Sequence, residues 1–201
     1  MKLGENMTRE WQEEDRGEQL LVVLHRIRDS DATAHKELEQ LAESGSRLAM
    51  HYLGEFQANG KHGFEPDVES GIRWLSLAAE KGSIEAAYEL GYVYYREGRI
   101  SEATEVYQSI AKRGYPPAFF RLGQLGLKDA EGNEEKIAAL RYFEEAWESG
   151  HLISSGLVLW LRRDLGLDRT PFLLTIPKRA KVALQILFKN WRNPSSDTLR
   201  S

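Results

Sequence analysis

The sequence contains no cysteine. That excludes a disulfide framework and thiol chemistry, and it suits a reducing compartment, so a cytoplasmic location is expected. Long apolar runs are also missing, and no stretch approaches the ~18 residues of a membrane span. The opening residues, MKLGENMTREWQEEDRGEQL, carry acidic side chains where a secretion signal would be apolar. They read as a flexible, solvated lead-in over residues 1–16. Neither a G-x-S-x-G elbow nor a G-x-x-x-x-G-K-[ST] phosphate loop occurs. Period-two alternation is equally absent, which argues against β-strands. The expectation is an all-α protein without enzymatic activity or cofactor.

What the chain does have is 201 residues, enough to bury a core, and a formal charge of −4 that is unevenly spread. From His151 onward nine basic residues face three acidic ones, so the last quarter carries +6 and the first 150 residues −10. Such asymmetry can steer an acidic partner, nucleic acid or a second copy of the chain; a solvated face is the plainer reading.

Internal comparison reveals a repeat. LAESG ends at Gly45, AAEKG at Gly82, IAKRG at Gly114 and AWESG at Gly150, at intervals of 37, 32 and 36 residues. Nine residues after the first three anchors stand Gly54, Gly91 and Gly123, each preceded by leucine. Eleven before each anchor is a small residue (Ala34, Gly71, Ala103, Ala139), seven before a bulky one (Leu38, Leu75, Tyr107, Phe143), four before an apolar one (Leu41, Ala78, Ile110, Ala146). Steps of four and three place these side chains on one helical face. An anchor glycine supplies the left-handed conformation that ends a helix. The inner glycine costs about 1 kcal/mol relative to alanine, and close approach of a neighbouring helix is the usual compensation. Asp67, Ser101 and Asn133 are expected to cap the second helix of each pair.

These residues resemble the Sel-one-like repeat family, α-solenoid relatives of tetratricopeptide repeats. The likeness is strongest from Leu53 to Gly91 and remains recognisable from about Leu38 to Gly150. It implies an α-solenoid of about five helix pairs, some ten helices: a repeat array over 17–150, a capping helix pair over 151–192 and a flexible tail over 193–201. An adaptor or scaffold role is implied too, with a peptide or protein partner bound on the concave side. Carrying the family's concave slots across gives His51 and Glu55 in the first repeat, Glu85, Tyr88, Tyr92, Tyr95 and Arg96 in the second, and Phe120, Gln124 and Lys128 in the third.

Tyr88, Tyr92 and Tyr95 share a helical stripe, and tyrosine and arginine are typical of binding hot spots. The same rings could instead pack between repeats. His51 and Glu55 have the i, i+4 spacing of metal ligands but lack an evident third, so no metal is expected. The tail PKRAKVALQILFKNWRNP forms a basic amphipathic pattern, suited to a terminal cap or, as the alternative, to a peripheral membrane anchor. Nucleic-acid binding is not expected, because the aromatic-rich repeats are acidic overall. A monomer or homodimer fits.

Overall fold

Ten α-helices follow one another in the computed structural model, which describes residues 6–128, 130–167 and Leu184. They are α1 (Asn6–Gln12), α2 (Gly17–Arg28), α3 (Thr33–Glu43), α4 (Arg47–Asn59), α5 (Val68–Glu80), α6 (Ile84–Arg96), α7 (Ile100–Ala111), α8 (Pro116–Lys128), α9 (Asn133–Glu148) and α10 (Ser154–Asp164). No strand occurs among the described residues. The fold is all-α and of the solenoid class. Apart from Leu184, the amphipathic segment expected from Lys178 onward lies outside the described residues, as does the tail over 193–201.

The repeat offsets translate directly into burial. All twelve residues at the small, bulky and apolar positions are buried, from Ala34 through Ala146. The four anchor glycines adopt φ of 100°, 95°, 77° and 95° at Gly45, Gly82, Gly114 and Gly150, a region that side chains rarely enter. Each one ends a helix and lets the chain reverse.

Two compact units divide the chain, Glu5–Val106 and another that begins at Tyr107. In the first, α2 packs on α3, α3 on α4, α4 on α5 and α5 on α6, with α4 also touching α6. Its core is built from Leu20, Ile27, Leu38, Leu48, Leu53, Leu75 and Val93, among others. Each such leucine contributes roughly 2 kcal/mol through burial. In the second unit α8 and α10 both pack on α9, around Phe120, Leu140, Phe143, Val158 and Leu161.

Inner glycines mark the closest helix approaches. A Cβ on Gly54 would stand 2.8 Å from Leu75 Cγ, 2.9 Å from the Leu75 backbone nitrogen and 3.0 Å from the Gly71 carbonyl oxygen. On α8, a Cβ at Gly123 would meet the Phe143 ring at 2.8 Å. Gly91 is likewise buried, within α6.

Helix starts follow the expected chemistry only in part. Asp67 caps α5, its carboxylate accepting from the Ser70 N–H at 2.9 Å. Helix α7 already begins at Ile100, which puts Ser101 inside its first turn rather than at the cap. At α9 the cap falls on Gly132 instead of Asn133, and the Gly132 N–H donates to Glu135 Oε2 at 3.1 Å. Ser46 and Ser83, each just after an anchor glycine, cap α4 and α6 by accepting from Ala49 and Ala86 N–H groups. Helix α8 opens on Pro116, whose missing N–H would have no helical partner there.

The lead-in expected over 1–16 is not featureless. It contains α1, and Glu10 on that helix is buried, with 2% exposed. The acidic look of the segment conceals its purpose, because two of its carboxylates, Glu10 and Glu14, accept from backbone N–H groups, while Glu13 and Asp15 stay exposed.

Replacing Gly54 with alanine should destabilise the protein, since two of the three atoms it would strike are backbone; overpacking of about 1–3 kcal/mol exceeds the ~1 kcal/mol gained in helix propensity. Gly156, exposed within α10 with nothing within 4 Å of an added Cβ, gives the opposite expectation, a gain of about 1 kcal/mol. Urea unfolding midpoints of the two variants check both signs.

Candidate functional site

Successive first helices of the repeats, α4 and α6, bring their C-terminal halves together. Arg96, in the last turn of α6, donates from Nη2 to the Ala58 carbonyl at 2.7 Å and from Nη1 to Asn59 Oδ1. Ala58 lies in the last turn of α4, where carbonyls have no partner within the helix. The arginine therefore supplies donors where the α4 backbone lacks them, and its charge complements the helix dipole.

A polar cluster surrounds this contact. Asn59 Nδ2 donates to the Glu55 carbonyl at 2.8 Å and, at 3.4 Å, to Glu89 Oε1. Lys61 Nζ bonds Glu55 Oε1 at 2.8 Å. Burial pushes the Glu89 carboxyl above its ordinary range and the Glu55 charge adds to this, while Lys61, Asn59 and Arg96 act against it. Lys61 is held above the usual lysine value, chiefly by its hydrogen bond to Glu55. Arg96 Nε also pairs with Glu97 Oε1 at 2.9 Å. Three carboxylates and two cations thus share one patch, a dense set of donors and acceptors beside aromatic rings.

The tyrosine stripe grades from core to surface. Tyr88 is 3% exposed, Tyr92 half-buried and Tyr95 37% exposed. Glu85 and His51 are buried as well, and the His51 ring stacks on Tyr52 at 5.3 Å between centroids. His51, Glu85 and Tyr88 are therefore not surface contacts as the family slots imply; they belong to the interior, because these positions lie toward the helix N-terminal halves, where packing closes over them. Phe120 needs the same correction, being buried against Phe143 and His151 at centroid distances of 5.7 and 4.6 Å. Gln124 and Lys128 on α8 are exposed, with Gln124 Oε1 accepting from Arg121 Nη1 at 3.0 Å. They lie in the unit that begins at Tyr107.

Of the expected residues, Glu55, Tyr92, Tyr95 and Arg96 stand on the α4 and α6 surface. Asn59, Lys61 and Glu89 join them without having been anticipated. Asn59 follows Glu55 by four, Glu89 follows Glu85 by four, and stepping each slot one turn further would have found both. Among the described residues, no group of three or more His, Asp or Glu side chains is placed to hold a metal. Nor is any described helix long and apolar enough to cross a membrane.

Antiparallel helix pairs stacked through glycine contacts define an α-solenoid repeat protein. Three of its stretches match the Sel1 repeat: residues 47–83, 84–102 and 116–151. A sel1-like repeat-containing protein of Acanthamoeba polyphaga mimivirus is 30% identical over 94 residues, 47% of this chain and 17% of that protein. The ERAD-associated E3 ubiquitin-protein ligase component HRD3B of Arabidopsis thaliana is 29% identical over 111 residues, 53% of this chain and 17% of its own length. DAP3-binding cell death enhancer 1 of Rattus norvegicus matches at 29% over 110 residues, 53% of this chain and 21% of its own. The chain thus spans about a fifth of the curated relatives it matches.

Among solved structures, a protective antigen of uropathogenic Escherichia coli with an SLR fold superposes with a TM-score of 0.56 at 22% identity, covering 68% of this chain and 30% of that one. A Sel1 repeat protein from Oxalobacter formigenes gives 0.50 at 23% identity, with 63% and 53% covered. At such identities the likeness is one of fold.

The raised Glu89 carboxyl carries a pH signature. A carboxyl whose folded pKa exceeds its unfolded value binds its proton more tightly when folded, so stability falls as pH rises from the unfolded value, near 4.5, through the folded one. Glu89→Gln should remove that decline and leave the protein at least as stable as wild type at neutral pH. Chemical unfolding at pH 5 and pH 7.5 makes the comparison, and a variant that loses more stability at the higher pH would contradict it.

Proposed function

We propose that the chain is a non-enzymatic interaction scaffold that binds a peptide or protein surface across the C-terminal halves of α4 and α6. The observation that carries this reading is the dense donor and acceptor cluster of Glu55, Asn59, Lys61, Glu89 and Arg96 beside the outward-facing Tyr95. Peptide groups carry one donor and one acceptor each, and a surface dense in both suits them better than it suits a strongly charged ligand. Tyrosine adds apolar area with little rotamer entropy to lose. Interaction scaffolding is the general role of Sel1 repeat proteins. One relative is by name a component of a ubiquitin ligase and another is by name DAP3-binding, which supports the class of partner and leaves its identity to this chain's own chemistry.

The decisive comparison uses the full chain as bait in its native cell extract, against a variant carrying Tyr95→Ala and Lys61→Glu. Both side chains are exposed, but Lys61→Glu sets a new carboxylate beside Glu55 and Glu89, so both captures are run well below the variant's own thermal midpoint. Proteins that this surface recruits should fall by at least ~10-fold in the variant capture. An unchanged set would dismiss the reading. Tyr88→Ala serves as a contrast: it empties a core position and should cost about 3–5 kcal/mol of stability.

A further inference from the structure

The other ends of α4 and α6 are occupied by the chain's own N-terminal segment. Glu10 reaches the start of α6, where Oε2 accepts from Ser83 Oγ at 2.7 Å and Oε1 from the Ile84 N–H at 2.9 Å. The Glu85 N–H also faces Oε1, at 3.5 Å. Four residues on, Glu14 Oε2 accepts from the Leu48 N–H at 3.1 Å, in the first turn of α4. Glu13 Oε2 pairs with Arg47 Nη2 at 3.0 Å. Between them, Trp11 packs on the core with its ring 6.0 Å from that of Tyr52. Two carboxylates four residues apart, Glu10 on α1 and Glu14 just after it, thus fill the anion-favouring ends of two successive repeat helices.

This segment has the character of a bound ligand more than of a repeat. Helix α1 has seven residues, too few to be stable in isolation, and its hold comes from Trp11 and the carboxylates. Burial pushes the Glu10 carboxyl up, against the pull of Ser83, Ile84 and the nearby Arg47 and Arg9. Desolvating that charge weakens the net grip of the segment. Elements held by so few contacts open before the core does.

We propose that the N-terminal ends of α4 and α6 form a docking site for a segment that leaves a short helix, with two carboxylates four residues apart, the first on the helix and the second just past it, and an aromatic ring after the first, and that residues 10–14 occupy this site in cis as an autoinhibitory strap. The partner is a protein presenting the same E-W-x-x-E spacing. Its carboxylates take the Ile84 and Leu48 N–H groups, and its ring takes the place beside Tyr52. The site is separate from the surface at the opposite ends of these helices, so either can fail without the other.

A fluorescein-labelled peptide of residues 5–17 provides the probe, and full-length protein the receptor. Wild type should bind it at least ~10-fold more weakly than a full chain in which Glu10, Trp11 and Glu14 are all changed to alanine, because the tethered copy competes at high effective concentration. A peptide carrying the same three alanines should bind neither. Trp11→Ala alone, which removes the ring beside Tyr52 and keeps both carboxylates, should bind the peptide more tightly than wild type and less tightly than the triple variant. Circular dichroism confirms folding of each receptor. The proposal is overturned if the folded triple variant leaves the peptide unbound at about 1 mM, a generous ceiling for a specific contact, or binds it no better than wild type. Should the triple variant not fold, Trp11→Ala decides alone, and binding equal to wild type overturns the proposal.

Discussion

Backbone proximity at Gly54 is the constraint from which the first unit follows. Where α4 crosses α5, the Gly71 carbonyl and the Leu75 backbone occupy the space that any side chain at residue 54 would need. The contact is reciprocal, since a Cβ on Gly71 would come within 2.7 Å of the Gly54 carbonyl oxygen and 2.5 Å of Ala58 Cβ. Helices that approach this closely cannot slide past each other without collision. Fixing α4 on α5, and α5 on α6, fixes α4 against α6 in turn. Only then does the Ala58 carbonyl fall within reach of Arg96, and the surface cluster forms.

The second unit meets the same requirement by another route. At Gly123 the neighbour is the ring of Phe143 rather than backbone. A glycine there makes room for a large side chain, whereas at Gly54 it makes room for the helix itself. Both solutions bury the bulky residue seven positions before the anchor, Leu75 in one copy and Phe143 in the other, with 0% exposed in each case. The repeat preserves the position of the contact while its chemistry varies.

How much of this was legible depends on whether a residue answers to its own helix or to its surroundings. Spacing within a helix fixes which residues share a face, and so the twelve interior positions and the four turning glycines could be read from the letters. Exposure along a face is set by neighbours remote in sequence. Tyr88 and Tyr95 lie on one stripe and share a residue type, yet the first is interior and the second reaches solvent. No local pattern separates them. Helix α1 was illegible for the same reason: its apolar face is a single pair, Met7 and Trp11, and its order comes from Tyr52 and from N–H groups some 34 and 74 residues further along the chain. The serine caps were within reach, since Ser46 and Ser83 each follow an anchor glycine, but attention to the glycine hides the residue beside it.

Charge matches helix end at three contacts of the first unit. Carboxylates of Glu14, just after α1, and of Glu10, on it, stand at the starts of α4 and α6, and a guanidinium from α6 stands at the finish of α4. That sorting requires α4 and α6 to run in the same direction, so that equivalent ends lie side by side. Successive first helices of a repeat array satisfy this, because each reversal at an anchor glycine is undone by the next loop. Parallel neighbours place like ends of two dipoles together, and the resulting potential at each edge exceeds that of one helix alone. An acidic strap at one edge and basic side chains at the other are what such a pair calls for. The sequence divides its charges along the chain; the fold redistributes them according to the direction of its helices.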